Sequence, residues 1–281
     1  MTIEEPSPDF REYDHRTAEV WNHLAHWWDD KIGSGNEFQD FLIEPATERL
    51  LSLKAGERVI DIACGAGRFA RRMAALGAIV VAFDQAKEFL DRARERTTER
   101  TEQIRYLNLN AVDQLELISL GECSFDAAVC TMGLMDMSSI TPLISSLPKI
   151  LRPQGQFVFS VTHPVFNSGT VRHVAEQFEH DGEVTTRSGI TVREYSDPFA
   201  YRGQGILGQP EPHYYFHRPI SLLLNTCFKY GFVLDGMEEP TFPKGYQSSS
   251  MSPFAYSRMQ SIPPILVARM VLRPAHLSEH I

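Results

Sequence analysis

The sequence contains few cysteines and no close pair of them. Its 281 residues include four cysteines, and no two of these have the Cys-x-x-Cys spacing of zinc knuckles and redox pairs. The Asp-x-Asp pattern is absent as well. We therefore expect no metal ion and a reducing compartment, with the cytoplasm as the default.

Long apolar runs and an excess of basic charge are also missing. No stretch of about 18 consecutive apolar residues occurs, so no membrane span is expected. Residues 1–6 are acidic and not apolar, so no signal peptide is expected. The net charge of -9 argues against a nucleic-acid partner, because such binding requires a basic surface.

The most informative segment is 58–70, where an apolar strand leads into a loop of small residues and then a helix. The loop reads Ala63-Cys64-Gly65-Ala66-Gly67. Small residues let a ligand approach the backbone. The helix N-terminus offers free N–H groups and the positive end of a dipole. This combination predicts a nucleotide-type site.

Three interpretations of this loop are open on the residues alone. Gly65-x-Gly67-x-x-Ala70 fits the dinucleotide fingerprint, in which a pyrophosphate lies on the helix N-terminus. Asp61, in the strand before the loop, argues against a pyrophosphate because like charges repel, and it favours a ligand with a cationic end. The third interpretation is a tight strand-to-helix turn that binds nothing.

From residue 58 onward the pattern alternates strands and helices, which predicts a parallel sheet with helices on both faces. The predicted strands are 58–63, 78–83, 104–109, 125–131, 156–161, 232–237 and 265–272. The predicted helices are 16–32, a second helical stretch after residue 36 with Pro45 in its first turn and Leu50, Leu51 and Leu53 following, and then 67–76, 86–98, 139–151 and 219–230. Residues 240–264 are too irregular for a crossover helix, so the last strand is expected to pair antiparallel.

The same pattern predicts how the chain is divided. Residues 1–50 are expected to form an N-terminal helical cap, and residues 51–162 together with 219–273 the core. Residues 163–218 break the rhythm, and about 55 residues without clear structure seldom form a simple loop. We expect them to be an insertion that acts as a substrate lid, and residues 274–281 to be a tail.

The loop and the order of elements resemble the class I S-adenosylmethionine (SAM)-dependent methyltransferases, near their type 11 small-molecule group. The first motif of that family, acid-x-Gly-x-Gly-x-Gly, reads here Asp61-Ile-Ala63-Cys-Gly65-Ala-Gly67. The turn at 151–155 and the pair Phe125-Asp126 are also typical of the family. The resemblance implies a Rossmann-like, doubly wound α/β fold. Its seven-stranded sheet would have one antiparallel edge strand, an N-terminal helical cap and an insertion after strand 5.

The resemblance also implies SAM as cofactor and S-adenosylhomocysteine as product. Asp84 follows the loop by about 20 residues, and its two oxygens suit a ribose diol, although a helix cap is an alternative. Asn110 stands where the family often has an Asp near the adenine, and a turn is its alternative. The expected cofactor-binding residues are Asp61, Ala63, Gly65, Gly67, Asp84, Gln85, Asn110, Ala111 and Met132, with Gly133 near the sulfonium.

Methyl transfer requires a nucleophile held near the methyl group, exclusion of water and often a general base. Ligands of open α/β sheets lie beyond the carboxyl ends of the strands, so the candidates follow strands four and five or belong to the insertion. The expected catalytic residues are His163, His213 and His217. The expected substrate-pocket residues are Tyr214, Tyr215, Asp136 and Trp28. These candidates also have structural alternatives. His163 could hold a loop in place, the histidine–tyrosine cluster of residues 213–218 could cover the sheet, and Asp136 could cap a helix.

We therefore expect a metal-independent transfer of a methyl group to an O, N or C nucleophile of a small organic molecule, with the oligomeric state left open. An NAD(P)-dependent oxidoreductase using the same loop is the nearest alternative. However, the Tyr-x-x-x-Lys pattern of short-chain dehydrogenases is absent. A SAM-binding protein without catalysis is the third hypothesis.

Overall fold

The computed structural model describes residues 10–247, 250 and 252–273, so the expected tail lies outside the described residues. The strands are β1 (Arg58–Ile62), β2 (Ile79–Asp84), β3 (Ile104–Asn108), β4 (Phe125–Thr131), β5 (Leu151–Thr162), β6 (Arg172–His180), β7 (Glu183–Thr191), β8 (Phe199–Gly203), β9 (His213–His217), β10 (Phe232–Glu238) and β11 (Ile265–Leu272). The α-helices are α1 (Asp14–Ile32), α2 (Glu44–Leu51), α3 (Arg68–Ala75), α4 (Lys87–Arg96), α5 (Gln114–Ile118), α6 (Thr141–Ile150) and α7 (Ile220–Lys229). Of these, α5 was not among the predicted helices, and β5 begins five residues before the predicted strand.

A seven-stranded sheet in the order β10-β11-β5-β4-β1-β2-β3 forms the centre of the molecule. Strands β1 to β5 pair in parallel. Strand β11 runs antiparallel to both of its neighbours, β5 and β10. The predicted seven-stranded sheet and the antiparallel pairing of the last strand are confirmed. The reversed strand lies between the outermost strand β10 and the parallel strands.

Helices cover both faces of this sheet, because alternate strand residues point to opposite sides. Ile60 and Ile62 are fully buried on the side covered by α6 and α7. Val59 is fully buried on the other side, against residues of α2, α3 and α4. The doubly wound arrangement is therefore confirmed, and it leaves a crevice between β1 and β4, where the strand order reverses.

Two N-terminal helices are held to the core by buried carboxylates, in agreement with the predicted helical cap. Asp29 of α1 has a fully buried side chain and lies 2.5 Å from the Nε atoms of both Arg92 and Arg96 on α4. Glu44 of α2 receives hydrogen bonds from Arg68 and Arg72 of α3. These ion pairs join α1 to α4 and α2 to α3.

The insertion between β5 and α7 contains regular structure that the sequence did not predict. Strands β6 and β7 form an antiparallel hairpin, and β8 pairs antiparallel with β9. Strand β9 contacts α1 and the short turn Leu134–Asp136 that follows β4. The insertion thus returns to the carboxyl ends of the parallel strands.

None of the helices in the described part of the chain combines the length and apolar character needed to cross a bilayer.

Candidate active site

A cavity of about 740 Å³ lies at the carboxyl ends of β1, β2 and β4, under α1 and β9. Most of the predicted site residues line it. They are Ala63, Gly65, Asp84, Gln85, Asn110, Ala111, Met132, Gly133, Asp136, Trp28, His213 and Tyr215. The lining does not include five other predicted site residues, which are Asp61, Gly67, His163, His217 and Tyr214.

The small-residue loop has a backbone that few side chains tolerate. Ala63 and Gly65 have φ angles of 53° and 52°, in the left-handed region that disfavours residues with a Cβ atom. Gly67 has a φ of 71° and begins α3, where an added Cβ would lie 2.4 Å from the hydroxyl of Tyr106. Gly67 is thus required for packing against β3 and does not face the cavity.

Met132 at the end of β4 is a second strained residue beside the loop. Its φ is 56°, and its N–H donates to the carbonyl oxygen of Ser160, 3.0 Å away. A Cβ atom on the next residue, Gly133, would lie 2.9 Å from the Cβ of Ala63. The ends of β1 and β4 therefore touch through small residues. Backbone strain of this kind is often found at functional sites.

Asp84 ends β2 and holds the glycine loop against the cavity. Its carboxylate accepts hydrogen bonds from the N–H of Gly65 at 2.9 Å and of Ala86 at 2.8 Å. Burial raises the pKa of Asp84 to about 6, against the effect of these backbone hydrogen bonds. A helix-cap role alone does not account for Asp84, because one of its oxygens accepts a hydrogen bond from Gly65 of the loop and the residue also lines the cavity.

Asp61 lies beneath the loop and has no access to the cavity. The residue is fully buried, and neither carboxylate oxygen has a hydrogen-bond partner among the described residues. Burial, together with the nearby carboxylate of Asp84, raises the pKa of Asp61 to about 8. The expectation that Asp61 lines the cofactor directly is therefore corrected: any effect of its charge on a ligand acts through the loop.

Asn110 forms the turn that the sequence left as an alternative. Its side-chain oxygen accepts from the N–H of Val112 at 3.1 Å, and its own N–H donates to Glu116 at 2.8 Å. This arrangement is an Asx-type turn. Asn110 and Ala111 still line the cavity, so the turn shapes the wall beside Gln85.

Aromatic side chains from α1 and β9 form one wall of the cavity, where Trp21 and Trp28 pack with Ala66 of the loop and with Phe89. Trp21 lies 5.5 Å from Trp28 and 4.4 Å from His213, measured between ring centroids. His213 in turn lies 4.2 Å from Tyr215. We call these four residues the aromatic wall. All four line the cavity.

His213 is held in one neutral tautomer. The amide oxygen of Gln209 accepts from the N–H of Gly205 at 3.1 Å, which leaves the amide nitrogen to donate to Nδ1 of His213 at 3.0 Å. Nδ1 is therefore an acceptor, and Nε2 carries the proton. Burial lowers the pKa of His213 to about 3. A base at Nε2 requires the opposite tautomer, so the structure argues against the predicted catalytic role of His213.

Asp136 is a half-buried acid beside the aromatic wall, with a side chain that is 16% exposed. One carboxylate oxygen, Oδ1, lies 3.8 Å from Nε2 of His213 and has no hydrogen-bond partner among the described residues. Burial and the carboxylate of Asp84 raise the pKa of Asp136 well above its usual range. Helix α6 begins after Ile140 with no side-chain cap, so the capping alternative for Asp136 is wrong.

The buried guanidinium of Arg218 holds the turn that carries Asp136. It donates to the carbonyl oxygens of Leu134 at 3.2 Å and of Met137 and Ser138 at 2.8 Å. The sequence analysis included Arg218 as the last residue of the candidate cluster 213–218 but assigned it no role. The signal that was available is a basic residue directly after an apolar, histidine-rich segment, but nothing local to the sequence places it beside residues 134–138.

His163 and His217 lie outside the cavity. Nδ1 of His163 accepts from the N–H of Val165 at 3.2 Å, and Nε2 lies 2.7 Å from Glu239. Nε2 of His217 lies 2.8 Å from the carbonyl oxygen of Tyr195. Both rings therefore hold loops, so the structure corrects their placement as catalytic residues and favours the loop-tie alternative for His163.

His213 and His217 have the His-x-x-x-His spacing, which on a helix would bring both imidazole rings to one metal ion. On β9 the two residues are four positions apart, or about 13 Å along the strand. In the part of the chain that the structure describes, no group of three or more metal-ligating side chains converges.

Tyr214 points to the face of β9 opposite His213 and Tyr215, where its ring lies 5.1 Å from that of Tyr13. The structure therefore corrects the placement of Tyr214 in the substrate pocket.

Known proteins resemble this chain over its central part. The family model described as "Methyltransferase domain" matches residues 60–159. "Ubiquinone biosynthesis O-methyltransferase" of Xanthomonas oryzae pv. oryzae (strain PXO99A) is 32% identical over 137 residues, which are 48% of this chain and 55% of that protein. "Demethylmenaquinone methyltransferase" of Clavibacter sepedonicus is 31% identical over 119 residues, 42% of this chain and 46% of that protein. The chain spans about half the length of the curated relatives it matches.

Solved structures share the fold over most of the chain. An S-adenosylmethionine-dependent methyltransferase from Mesorhizobium loti has a TM-score of 0.61 at 24% identity, covering 81% of this chain and 96% of that one. The 1,6-didemethyltoxoflavin-N1-methyltransferase of Burkholderia thailandensis, solved with 1,6-didemethyltoxoflavin and S-adenosylhomocysteine, has a TM-score of 0.58 at 15% identity, covering 96% and 93%. At these identities the likeness shows the fold.

Proposed function

We propose that this chain, whose residues 60–159 are a class I SAM-dependent methyltransferase domain, transfers a methyl group from SAM to an O, N or C nucleophile of a small organic molecule. The relatives named above support this proposal, since each is named as a methyltransferase. Two of them are named for small molecules, ubiquinone biosynthesis and 1,6-didemethyltoxoflavin, which supports a small-molecule acceptor here.

The observation that carries the proposal is the concentration of acid around the cavity. Asp84 and Asp136 line it, and Asp61 lies just beneath. The pKa of Asp61 and that of Asp136 are both raised in part by the negative charge of Asp84. Of the basic residues in the lining, Arg68 is paired with Asp40 and Glu44. A cationic ligand relieves this repulsion, whereas the pyrophosphate of a dinucleotide adds to it.

The residues present fit SAM. When bound, SAM supplies an activated methyl group and a positive charge. Asp84 would hold the two ribose hydroxyls with its carboxylate oxygens. Gln85, Asn110 and Ala111 would line the adenine side. The cavity-lining backbone of residues 63–65 and 132–133 would receive the methionine part, where a Cβ on Gly133 would collide with Ala63.

The aromatic wall supports catalysis over a purely cofactor-binding role. Trp21 and Trp28 of α1 and His213 and Tyr215 of β9 line the cavity, as does Asp136. Aromatic side chains beside an acid offer a surface on which a second molecule is oriented. A reducing compartment such as the cytoplasm suits this protein, because its four cysteines are free thiols.

Calorimetric titration of the purified chain with S-adenosylhomocysteine and, separately, with NADH tests the proposal. We expect S-adenosylhomocysteine to bind with a Kd in the range of about 1–100 µM, typical of ligands held by enzymes, and NADH not to bind. Asp84→Asn should weaken the binding by about 10-fold or more, since a loss of about 1.4 kcal/mol corresponds to that factor. The control is Asp181→Asn, at a fully solvated position in the turn between β6 and β7. Tighter binding of NADH than of S-adenosylhomocysteine would refute the proposal.

A further inference from the structure

The acceptor end of the cavity combines one unpaired carboxylate with a wall of aromatic rings. Asp136 is the acid, with Oδ1 buried and without a hydrogen-bond partner among the described residues. Buried polar groups are almost always paired in folded proteins, so each exception calls for an explanation. The neighbouring carboxylate of Asp29 is neutralised by Arg92 and Arg96. Asp136, in the turn after β4, therefore differs from Asp29, the buried acid of α1.

The aromatic wall favours a planar ring as the partner surface. The ring of His213 lies between those of Trp21 and Tyr215, at centroid distances of 4.4 and 4.2 Å. A Cβ atom on Gly205 would lie 2.7 Å from the Trp28 ring, so the loop before β9, which also lines the cavity, packs tightly against the wall. Rings held in this way offer large, rigid faces, and aromatic ligands gain from stacking on them beyond simple burial.

The polar groups next to the wall determine which functional group on the ring of the ligand is bound best. His213 is neutral and presents a donor at Nε2, whereas Asp136 presents acceptor oxygens. An O–H group hydrogen-bonds to a carboxylate more strongly than to a neutral acceptor. Arg218 fixes the turn that carries Asp136 through three carbonyl contacts, so the carboxylate is pre-organised and does not need to move into place.

We propose that the acceptor is a phenol-type compound, a planar aromatic ring with a hydroxyl group, and that Asp136 accepts the proton of that hydroxyl. This inference rests on the proposed function. The acceptor oxygen forms a bond to the methyl carbon while its proton passes to Asp136. The electron pair of the broken carbon–sulfur bond stays on sulfur, which becomes neutral. Nε2 of His213 lies 3.8 Å from Oδ1 of Asp136, beyond hydrogen-bond distance, so Oδ1 is left to accept from the hydroxyl of the acceptor.

The fluorescence of the chain provides a binding readout that does not depend on turnover. The sequence has three tryptophans, of which Trp21 and Trp28 line the cavity and Trp27 does not. We expect phenol, catechol and 1-naphthol to quench this fluorescence in the complex with S-adenosylhomocysteine. Cyclohexanol and cyclohexane-1,2-diol should bind at least about 10-fold more weakly, because they lose the stacking on the wall. Trp28→Leu should weaken phenol binding, whereas Trp27→Leu should not.

Turnover of the same compounds with labelled SAM tests the role of Asp136. At least one of the three phenols should be methylated on oxygen, and aniline should be a poorer acceptor. Asp136→Asn should lower kcat by about 100-fold or more, the usual size of a general-base contribution, while the Kd of the phenol changes less than about 10-fold. Tyr214→Phe, on the opposite face of β9, should leave kcat unchanged.

The failure of this inference is distinct from the failure of the proposed function. If S-adenosylhomocysteine binds but no phenol is bound or methylated, the phenol assignment is wrong and the methyltransferase proposal stands. The phenol assignment would also be overturned if the saturated alcohols bound as tightly as the phenols, if aniline were methylated faster than the phenols, or if Asp136→Asn kept the full kcat. If S-adenosylhomocysteine itself does not bind, the proposed function fails first.

Discussion

Asp61 carries its carboxyl group into the interior below the glycine loop, where both oxygens lack partners among the described residues. An ionised carboxylate in such a place is unfavourable because it loses its hydration and is repelled by Asp84. In SAM-free protein the group is therefore best accommodated in its protonated form. The same charge becomes useful when a cationic ligand occupies the loop above it. Stability and ligand binding thus place opposite demands on this residue.

The pH dependence of stability follows from this position. The pKa of Asp61 is raised from 3.8 to about 8 in the folded state, so its contribution to stability is lost as the pH rises from about 4 through 8. We expect Asp61→Asn to gain stability over the wild type progressively across this range. At pH 8 the thermal midpoint should rise by about 2–4 °C for each kcal/mol recovered.

Thermal unfolding of both proteins at pH 4.5 and pH 8 measures this difference. Asp181→Asn, the same chemical change at a side chain that is 90% exposed, serves as the control and should show no trend with pH. The variant should also bind S-adenosylhomocysteine about 10-fold more weakly, equivalent to about 1.4 kcal/mol. A midpoint for Asp61→Asn that falls at pH 8, or an advantage independent of pH, would contradict the account.

Helix α1 is the element on which the acceptor end of the cavity depends, because it carries Trp21 and Trp28. Its attachment to α4 runs through Asp29, whose side chain is fully buried between Arg92 and Arg96. Removing one member of a buried ion pair leaves uncompensated charge. The attachment of α1 is therefore sensitive to a single substitution, whereas the sheet beneath it is held by its own apolar core.

We expect Asp29→Asn to loosen α1 without unfolding the sheet, with a loss of about 3 kcal/mol. Hydrogen exchange followed by mass spectrometry should show faster exchange in residues 14–32 and unchanged protection in β1, β4 and β5. The control is Asp30→Asn, since Asp30 also contacts Arg92 but is 68% exposed. Slower exchange in α1, or equal acceleration across the whole chain, would be evidence against this view of the element.

Strand β9 shows why the sequence could not assign the histidine–tyrosine cluster correctly. The period of two along a strand places His213 and Tyr215 on one face and Tyr214 on the other. Without a prediction that residues 213–217 form a strand, the cluster is treated as a single group, and Tyr214 is assigned to the pocket together with its neighbours. The loop of residues 63–67 was easier to interpret because its strand, turn and helix are contiguous and each has a local signal.

Across the whole molecule, what was predictable depended on how far apart the contributing residues lie in the sequence. Alternating strands and helices fixed the sheet and its two faces from local patterns. The acceptor end joins α1, the turn after β4 and the strand β9, so Trp28, Asp136 and His213 meet only in the folded chain. The sequence pattern predicted these three residues. The turn that carries Asp136 is held by the distant Arg218, and Gln209, only four residues from His213, sets its tautomer within a segment whose strands were not predicted.

A crystal structure of the full chain with S-adenosylhomocysteine would show whether the acidic cavity at the ends of β1, β2 and β4 holds this cofactor. We expect ribose hydroxyls within about 2.7–3.2 Å of the Asp84 carboxylate, and the sulfur atom beside Met132 and Gly133 on the side that faces Asp136. A ligand bound elsewhere, or with its sulfur turned away from Asp136, would contradict this expectation.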